Sequence, residues 1–324
     1  MKAVLKLFCI LFLFIFASAA FAQSNEPLPF TLKPLGHGVY AAIDDAKGEA
    51  GANAGFVIGD NGVAVIDTFE NEKAAQALLS EIRNLTPLPI KFVINTHYHL
   101  DHVAGNKIFQ DAGARIVAQK HVADWMRTEN LKFFGKNINP EQKQMVDSLA
   151  LPEVLYSEEL ALSLGKRRIL LEHQLGHTGG DTVVLIPDAR IYFFGDLFWR
   201  KTLPNLIDAT VADWMGLRSF AKGNLHAMET YTFVPGHGDV GVPTDLDEFL
   251  GYLSDLEADV RRGLNEGKDG DDLTAAVLPE LKEKYGKWDF FQYFVKSNIK
   301  DIAAELKKQK RVPPVAPNKT QESD

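Results

Sequence analysis

Apolar and polar positions along the middle of the chain predict strands interleaved with helices. Ala54 to Ile58 and Val63 to Asp67 are short apolar runs joined by Gly59-Asp60-Asn61-Gly62, the pattern of two strands around a hairpin-like turn. From Asn71 to Asn84 the apolar residues Ala74, Ala75, Leu78, Leu79 and Ile82 recur at helical spacing. A strand is expected over Ile90 to Asn95, a helix over Val103 to Asp111 and a strand over Ala114 to Ala118. Further strands are expected at Arg168 to Glu172, Thr182 to Ile186, Ile191 to Phe194 and Thr230 to Val234. Beyond Asp245 the texture changes. Leu246, Phe249, Leu250, Leu253 and Leu256 predict one amphipathic helix, and Phe290 to Leu306 a second. These helices either pack on the strand-rich part or build a substrate wall or a dimer contact.

The ends of the chain read differently. Lys2 and Lys6 precede an apolar run from Leu7 to Phe16, and Ala20-Phe21-Ala22 forms a small-x-small cleavage site before Gln23. Residues 1–22 are therefore expected to be a signal peptide, directing the protein to the periplasm or outside the cell. The run is too short to span a bilayer, and no small-residue lipobox precedes Cys9, so no membrane anchor is expected after cleavage. Residues 23–244 are expected to form the main domain, with helices over 245–312 packed on it and a Pro-rich, polar, disordered tail over 313–324. At 46% hydrophobic residues the chain can bury a sizeable core. Its formal charge of −8 becomes more negative once Lys2 and Lys6 are gone, which disfavours a nucleic acid partner.

Chemistry concentrates in Thr96-His97-Tyr98-His99-Leu100-Asp101-His102, where three imidazoles and a carboxylate crowd together. Imidazole and carboxylate are ordinary ligands for Zn²⁺. So short a segment cannot aim all four groups at one ion, so two adjacent metals sharing one loop is the economical reading. The remaining ligands are available at Gly176-His177-Thr178, Gly195-Asp196 and Gly236-His237-Gly238, each expected just beyond a strand. Glycines beside His177 and His237 leave the turns free to swing ligands onto a common point. The single cysteine, Cys9, falls in the leader, so no thiolate serves the site.

These four blocks, in this order from about Phe56 to Gly238, resemble the metallo-β-lactamase superfamily. The resemblance implies a four-layer αββα sandwich of two mixed β-sheets flanked by helices, here with a C-terminal helical extension. It also implies that His97, His99 and His177 bind a first metal, that Asp101, His102 and His237 bind a second, and that Asp196 bridges the two. Five of the nine histidines fall on these positions. Superfamily members that bind two irons carry Glu where this chain has His99. All-N/O ligation suits two Zn²⁺, with iron or manganese the alternatives. Asp67 resembles the family's buried Asp that supports the ligand loop.

The implied activity is hydrolysis of an acyl bond (lactam, lactone, ester or thioester) of a small substrate by a metal-bound hydroxide, with Asp101 orienting or shuttling the proton. Asp196 departs from β-lactamases, which generally lack a bridging carboxylate, so only weak β-lactamase activity is expected. Glyoxalase-type thioesterases share Asp196, but their basic pattern is missing after it. A mononuclear iron persulfide dioxygenase of the same fold is the alternative, and it leaves His102 and His237 unexplained. Thr96 and Asn106 are expected to brace the motif loop. Tyr98 either hydrogen-bonds a bound carbonyl or packs as a ring. Phe133-Phe134 and Phe198-Trp199 are candidates for an apolar substrate wall, with Phe134 and Trp199 foremost, or else belong to the core. Arg200 and Lys201 either pair with a substrate carboxylate, Lys201 foremost, or are solvated charges.

Overall fold

The computed structural model describes residues 27–44, 48–218 and 230–313. The expected leader, and the expected tail past Pro313, lie outside the described residues. Among the described residues, none of the helices is long and apolar enough to cross a membrane.

Strand residues alternate sides, and that alternation builds the layers. In β3 (Ala54–Ile58) and β4 (Val63–Ile66), Phe56, Val63 and Val65 face one core while Val57, Ala64 and Ile66 face another. The same split recurs in β5 (Ile90–Ile94), where Val93 and Ile94 diverge, and in β6 (Arg115–Gln119), where Ile116 and Val117 do. Strands buried on both faces read as continuous apolar runs. Together with β1 (Phe30–Gly36), β2 (Val39–Asp44) and β7 (Val154–Tyr156), they form a sheet of order β1-β2-β3-β4-β5-β6-β7. Pairing is antiparallel from β1 to β4 and parallel from β4 to β7.

The second sheet comprises β8 (Glu159–Leu164), β9 (Arg167–Gln174), β10 (Asp181–Ile186), β11 (Ile191–Trp199) and β12 (Thr232–His237), in the order β12-β11-β10-β9-β8. Its inner face, with Leu162, Ile169, Leu171, Val184, Phe193 and Val234, meets the first sheet's Val57, Ala64, Ile94 and Val117. The first sheet's outer face is covered by α1 (Glu72–Leu85), with α2 (Leu100–Val103) and α3 (Asn106–Asp111) following β5. Helix α1 starts cleanly because the Asn71 side chain accepts the Ala74 N–H at 2.9 Å. Two short helices, α4 (Lys120–Trp125) and α5 (Pro140–Asp147), flank a 3-10 turn at Asn130–Phe134. A one-turn helix, α6 (Val211–Trp214), follows β11.

The fourth layer comes from the C-terminal helices α7 (Pro243–Asn265), α8 (Gly270–Tyr285) and α9 (Phe291–Leu306). Leu246, Phe249, Leu250, Leu253 and Leu256 of α7 face Tyr192, Phe194 and Phe233 on the outer side of the second sheet. The molecule is thus an αββα sandwich whose last layer is the segment expected as an extension. The strand boundaries that differ most consequentially from the sequence reading are those of β11 and β12. β11 continues through Gly195 to Trp199, because its pairing with β12 shifts register there instead of ending. β12 starts two residues later than expected and closes on His237 itself.

Leu253 is fully buried in the cluster joining α7 to the second sheet. Leu253→Ala should therefore destabilise the fold by about 2–5 kcal/mol, read as a lower urea midpoint at unchanged slope.

Candidate metal centre

Strands of both sheets deliver the site. β5 ends at Ile94, and the loop after it carries His97, His99, Asp101 and His102. His177 sits in the turn between β9 and β10, Asp196 lies within β11, and His237 ends β12. Asp196 was expected beyond its strand. It is instead aimed by the irregularity at Gly195, whose φ of +50° suits glycine and whose Hα side faces Thr96 too closely for any Cβ. Gly236 is required for a different reason: a Cβ there would lie 1.9 Å from Asp196 Oδ1.

Two groups of donor atoms converge, each within 4.8 Å: His97, His99, His177 and Asp196 in one, Asp101, His102, Asp196 and His237 in the other. Asp196 belongs to both because its oxygens diverge. Oδ2 lies 3.2 Å from His177 Nε2 and 3.7 Å from His97 Nε2. Oδ1 lies 3.0 Å from His102 Nε2 and 3.5 Å from His237 Nε2. In the first group His177 Nε2 and His99 Nδ1 are 3.0 Å apart. In the second, Asp101 Oδ2 is 3.3 Å from His237 Nε2 and 3.5 Å from His102 Nε2.

Three of the five rings are held from behind, which fixes their tautomers. His102 Nδ1 donates to Asp67 Oδ2 at 2.8 Å, and His99 Nε2 donates to Asp208 Oδ2 at 3.0 Å. The Thr96 hydroxyl gives its one hydrogen to Asp67 Oδ2 at 2.7 Å, so it must accept from His97 Nδ1, 3.1 Å away. Each of these three rings therefore turns its other nitrogen inward. His97 Nε2, His102 Nε2, His237 Nε2 and Asp196 Oδ1 are buried without a hydrogen-bond partner. Orphaned donors of this kind, at this spacing, fit a pair of cations.

Electrostatics separate the two groups. Burial, reinforced by His102, holds His97 well below the usual imidazole value, and burial also lowers His99. Burial would depress His237 as well, but Asp196 and Asp101 outweigh it and push it up to about 9. The same contest, with Asp196, Asp101 and Asp67 prevailing over burial, raises His102. His97 and His99 are thus pushed toward the neutral form that coordinates a metal. In the carboxylate-rich second group His102 and His237 are pulled toward the protonated form, so a cation entering there competes with protons. Asp196 itself stays far below the carboxylate range: burial opposes this, and the facing imidazoles overcome it.

Supporting residues shape the loop. Asp67 also accepts the Thr96 N–H at 2.8 Å. Asn106 exchanges hydrogen bonds with Asn95 and accepts from Thr68. In the His177 turn, burial pushes Asp181 up to about 7 while its carboxyl receives the Thr178 N–H at 2.8 Å.

Some expected substrate contacts are corrected. Tyr98 is fully buried, donates its hydroxyl to Asp208 and accepts from Lys132 Nζ at 3.0 Å, so it has no free group to offer. Lys201 is paired with Glu248, and Arg200 with Asp245 at 3.1 Å. Phe134 packs with Tyr98, Val103 and Trp125, while its neighbour Phe133 lies exposed with its ring 4.9 Å from His99. Trp199 is buried and stacks on His237 at 3.9 Å. His121 stacks on Trp125, and His173 faces the Gly179 carbonyl; neither joins the donor groups. His226 lies outside the described residues. The sequence reading missed Asp208 altogether, because the loop that carries it bears no spacing relation to the motif. Its carboxyl is desolvated, yet His99 and Lys132 (2.5 Å away) keep it ionised.

A family model of the Metallo-beta-lactamase superfamily matches residues 48–250. The linear primary-alkylsulfatase of Pseudomonas sp. (strain ATCC 19151) is 23% identical over 272 residues, covering 69% of this chain and 51% of its own length. The chain therefore spans about half of that relative. The type 2 metallo-beta-lactamase of Bacteroides fragilis is 23% identical over 247 residues, covering 73% of this chain and 91% of that one. Among solved structures, a stereoselective inverting sec-alkylsulfatase from Pseudomonas sp. superposes with a TM-score of 0.66 at 16% identity, over 85% of this chain and 50% of that one. That last likeness is one of fold alone.

Removing the Asp208 carboxylate frees His99 to rotate. Asp208→Ala should weaken binding of a divalent metal by roughly 10–100-fold, measured by competition with a chromophoric chelator. An unchanged dissociation constant would deny Asp208 this orienting role.

Proposed function

This chain belongs to the metallo-β-lactamase superfamily, and we propose that it is an exported, dinuclear zinc hydrolase cleaving an acyl bond of a small substrate. The family and the curated relatives support the metal-dependent hydrolase class. The finer reading is supported above all by Asp196, whose two oxygens point into two separate groups of converging metal-binding side chains. His97, His99 and His177 would hold one zinc, Asp101, His102 and His237 the other, and Asp196 would bridge them. Zinc at such a centre lowers the pKa of a bound water to about 7 and polarises the bond under attack.

The chain's own residues then divide the work. Asp67, Thr96 and Asp208 keep the imidazoles in register. Asp101 is the most open acid of the centre, its side chain 28% exposed, and its Oδ2 faces both His102 and His237. In this reading it would take a proton at the exposed side and release it as the leaving group departs. The lactam, lactone, ester and thioester classes share this demand, and weak β-lactamase activity belongs to the same reading. Sulfate-ester hydrolysis is a second reading, favoured by the alkylsulfatase relative. The dioxygenase alternative needs one iron and leaves Asp101, His102 and His237 without work.

Metal analysis of the purified mature protein, without added metal, should return close to two zincs per chain. One iron per chain with oxygen uptake would overturn the hydrolase reading. Parallel panels of esters, lactones, thioesters, lactams and alkyl sulfates then separate the head groups. Asp101→Ala should keep the first metal and lose at least about 100-fold in kcat/KM. A value within a few-fold of wild type would remove Asp101 from proton transfer.

A further inference from the structure

Two exposed phenylalanines flank the donor cluster, one beside each group. Phe133, on the 3-10 turn, is 37% exposed and meets His99 of the first group edge-on at 4.9 Å. Phe290, at the start of α9, is 50% exposed and lies 6.5 Å from His237 of the second group. Behind Phe290 the aromatic surface continues. Phe294 is 5.8 Å from Phe290 and 6.3 Å from Trp199, which itself stacks on His237. Tyr293, beside Phe294 at 4.8 Å, extends the surface into solvent.

Single apolar side chains on a surface need no explanation, but the backbone of Phe290 does. Its φ of +58° lies in the left-handed region that bulky side chains avoid. The conformation is pinned by the preceding residue: Asp289 N–H donates to the Lys201 carbonyl, and the Asp289 carbonyl accepts the Leu203 N–H, both at 2.9 Å. A glycine or asparagine would fit that turn without strain. The chain instead spends conformational energy to hold an aromatic ring in water beside His237, as strained residues at binding sites do.

Charge points the same way. Lys132 is paired with Asp208, Arg200 with Asp245, Lys201 with Glu248 and Arg311 with Glu129. Each of these four cations already has its carboxylate, so an anionic substituent would find no open partner among them. Building on the hydrolase reading above, we infer that the substrate carries a neutral apolar group, alkyl or aryl, that lies between Phe133 and Phe290 while its scissile bond sits at the donor cluster.

The test is calorimetric titration of the zinc-loaded protein with straight-chain carboxylates from acetate to octanoate, the carboxylate serving as a common anchor. Affinity should rise about two- to fourfold per methylene in contact with the rings. Phe133→Ala and Phe290→Ala should flatten that rise and leave acetate binding unchanged. Phe290→Gly removes the ring and the backbone strain together, so it should flatten the rise with Tm equal to or above wild type. Affinities that do not depend on chain length, or a rise that survives in all three variants, would overturn the inference. Because the readout is binding, it stands apart from turnover: absence of hydrolysis across the ester panel would sink the acyl-hydrolase reading and leave this slope in place.

Discussion

The carboxylate of Asp67 receives three hydrogens, from the Thr96 amide, the Thr96 hydroxyl and the His102 ring, and the centre is built on that exchange. It lies just past β4, beside the strand that launches the motif loop, because β4 and β5 pair in parallel. Its own φ of +56° shows the backbone bent to bring the side chain back under the loop. Through His102 it orients a donor of the second group directly. Through Thr96 it decides which nitrogen of His97 carries the proton, and so orients a donor of the first. A single buried acid thereby sets the hydrogen-bonding state of both halves.

The rest of the architecture serves to bring a second set of ligands opposite that loop. The two sheets meet through a core of branched aliphatic residues, and the second sheet offers His177, Asp196 and His237 along one edge of the contact. Close packing leaves little tolerance there, which is why Gly236 abuts Asp196 with no room for a methyl group. Helices α7 to α9 complete the sandwich and also carry Phe290 and Phe294 to the site. The layer that stabilises the second sheet and the surface beside His237 are therefore one piece of chain.

What could be read from the sequence follows physical rules. The β3–β4 hairpin and α1 announce themselves through apolar runs, turn residues and a 3.6-residue period. The edge strand β1 contains Pro34 and Gly36, β7 is three residues long, and α8 has Pro279 inside it. None of these carries a clean period, and all three escaped. β2 and β8 were missed as well, although Glu159–Leu164 does alternate in burial. At the site, the motif spacing led to the residues that converge, because metal ligands are constrained in kind and number. Asp208 stayed hidden, since a lone acid in an irregular loop looks like any solvated one until the fold buries it against His99. Tyr98 and Lys201 misled for the converse reason: their neighbours Asp208 and Glu248 are distant in sequence and claim their polar atoms first.

Each donor group draws on both sheets. His97 and His99 from the first sheet stand against His177 and Asp196 from the second, and Asp101 and His102 against Asp196 and His237. An ion in either position is therefore a cross-link between the two halves of the sandwich, closing a large loop of chain. No such closure survives in the unfolded polypeptide, so the free energy of coordination becomes resistance to unfolding. The centre that would perform the chemistry would at the same time be a rivet through the seam of the molecule, and supply of the metal would govern how firmly the two sheets stay joined.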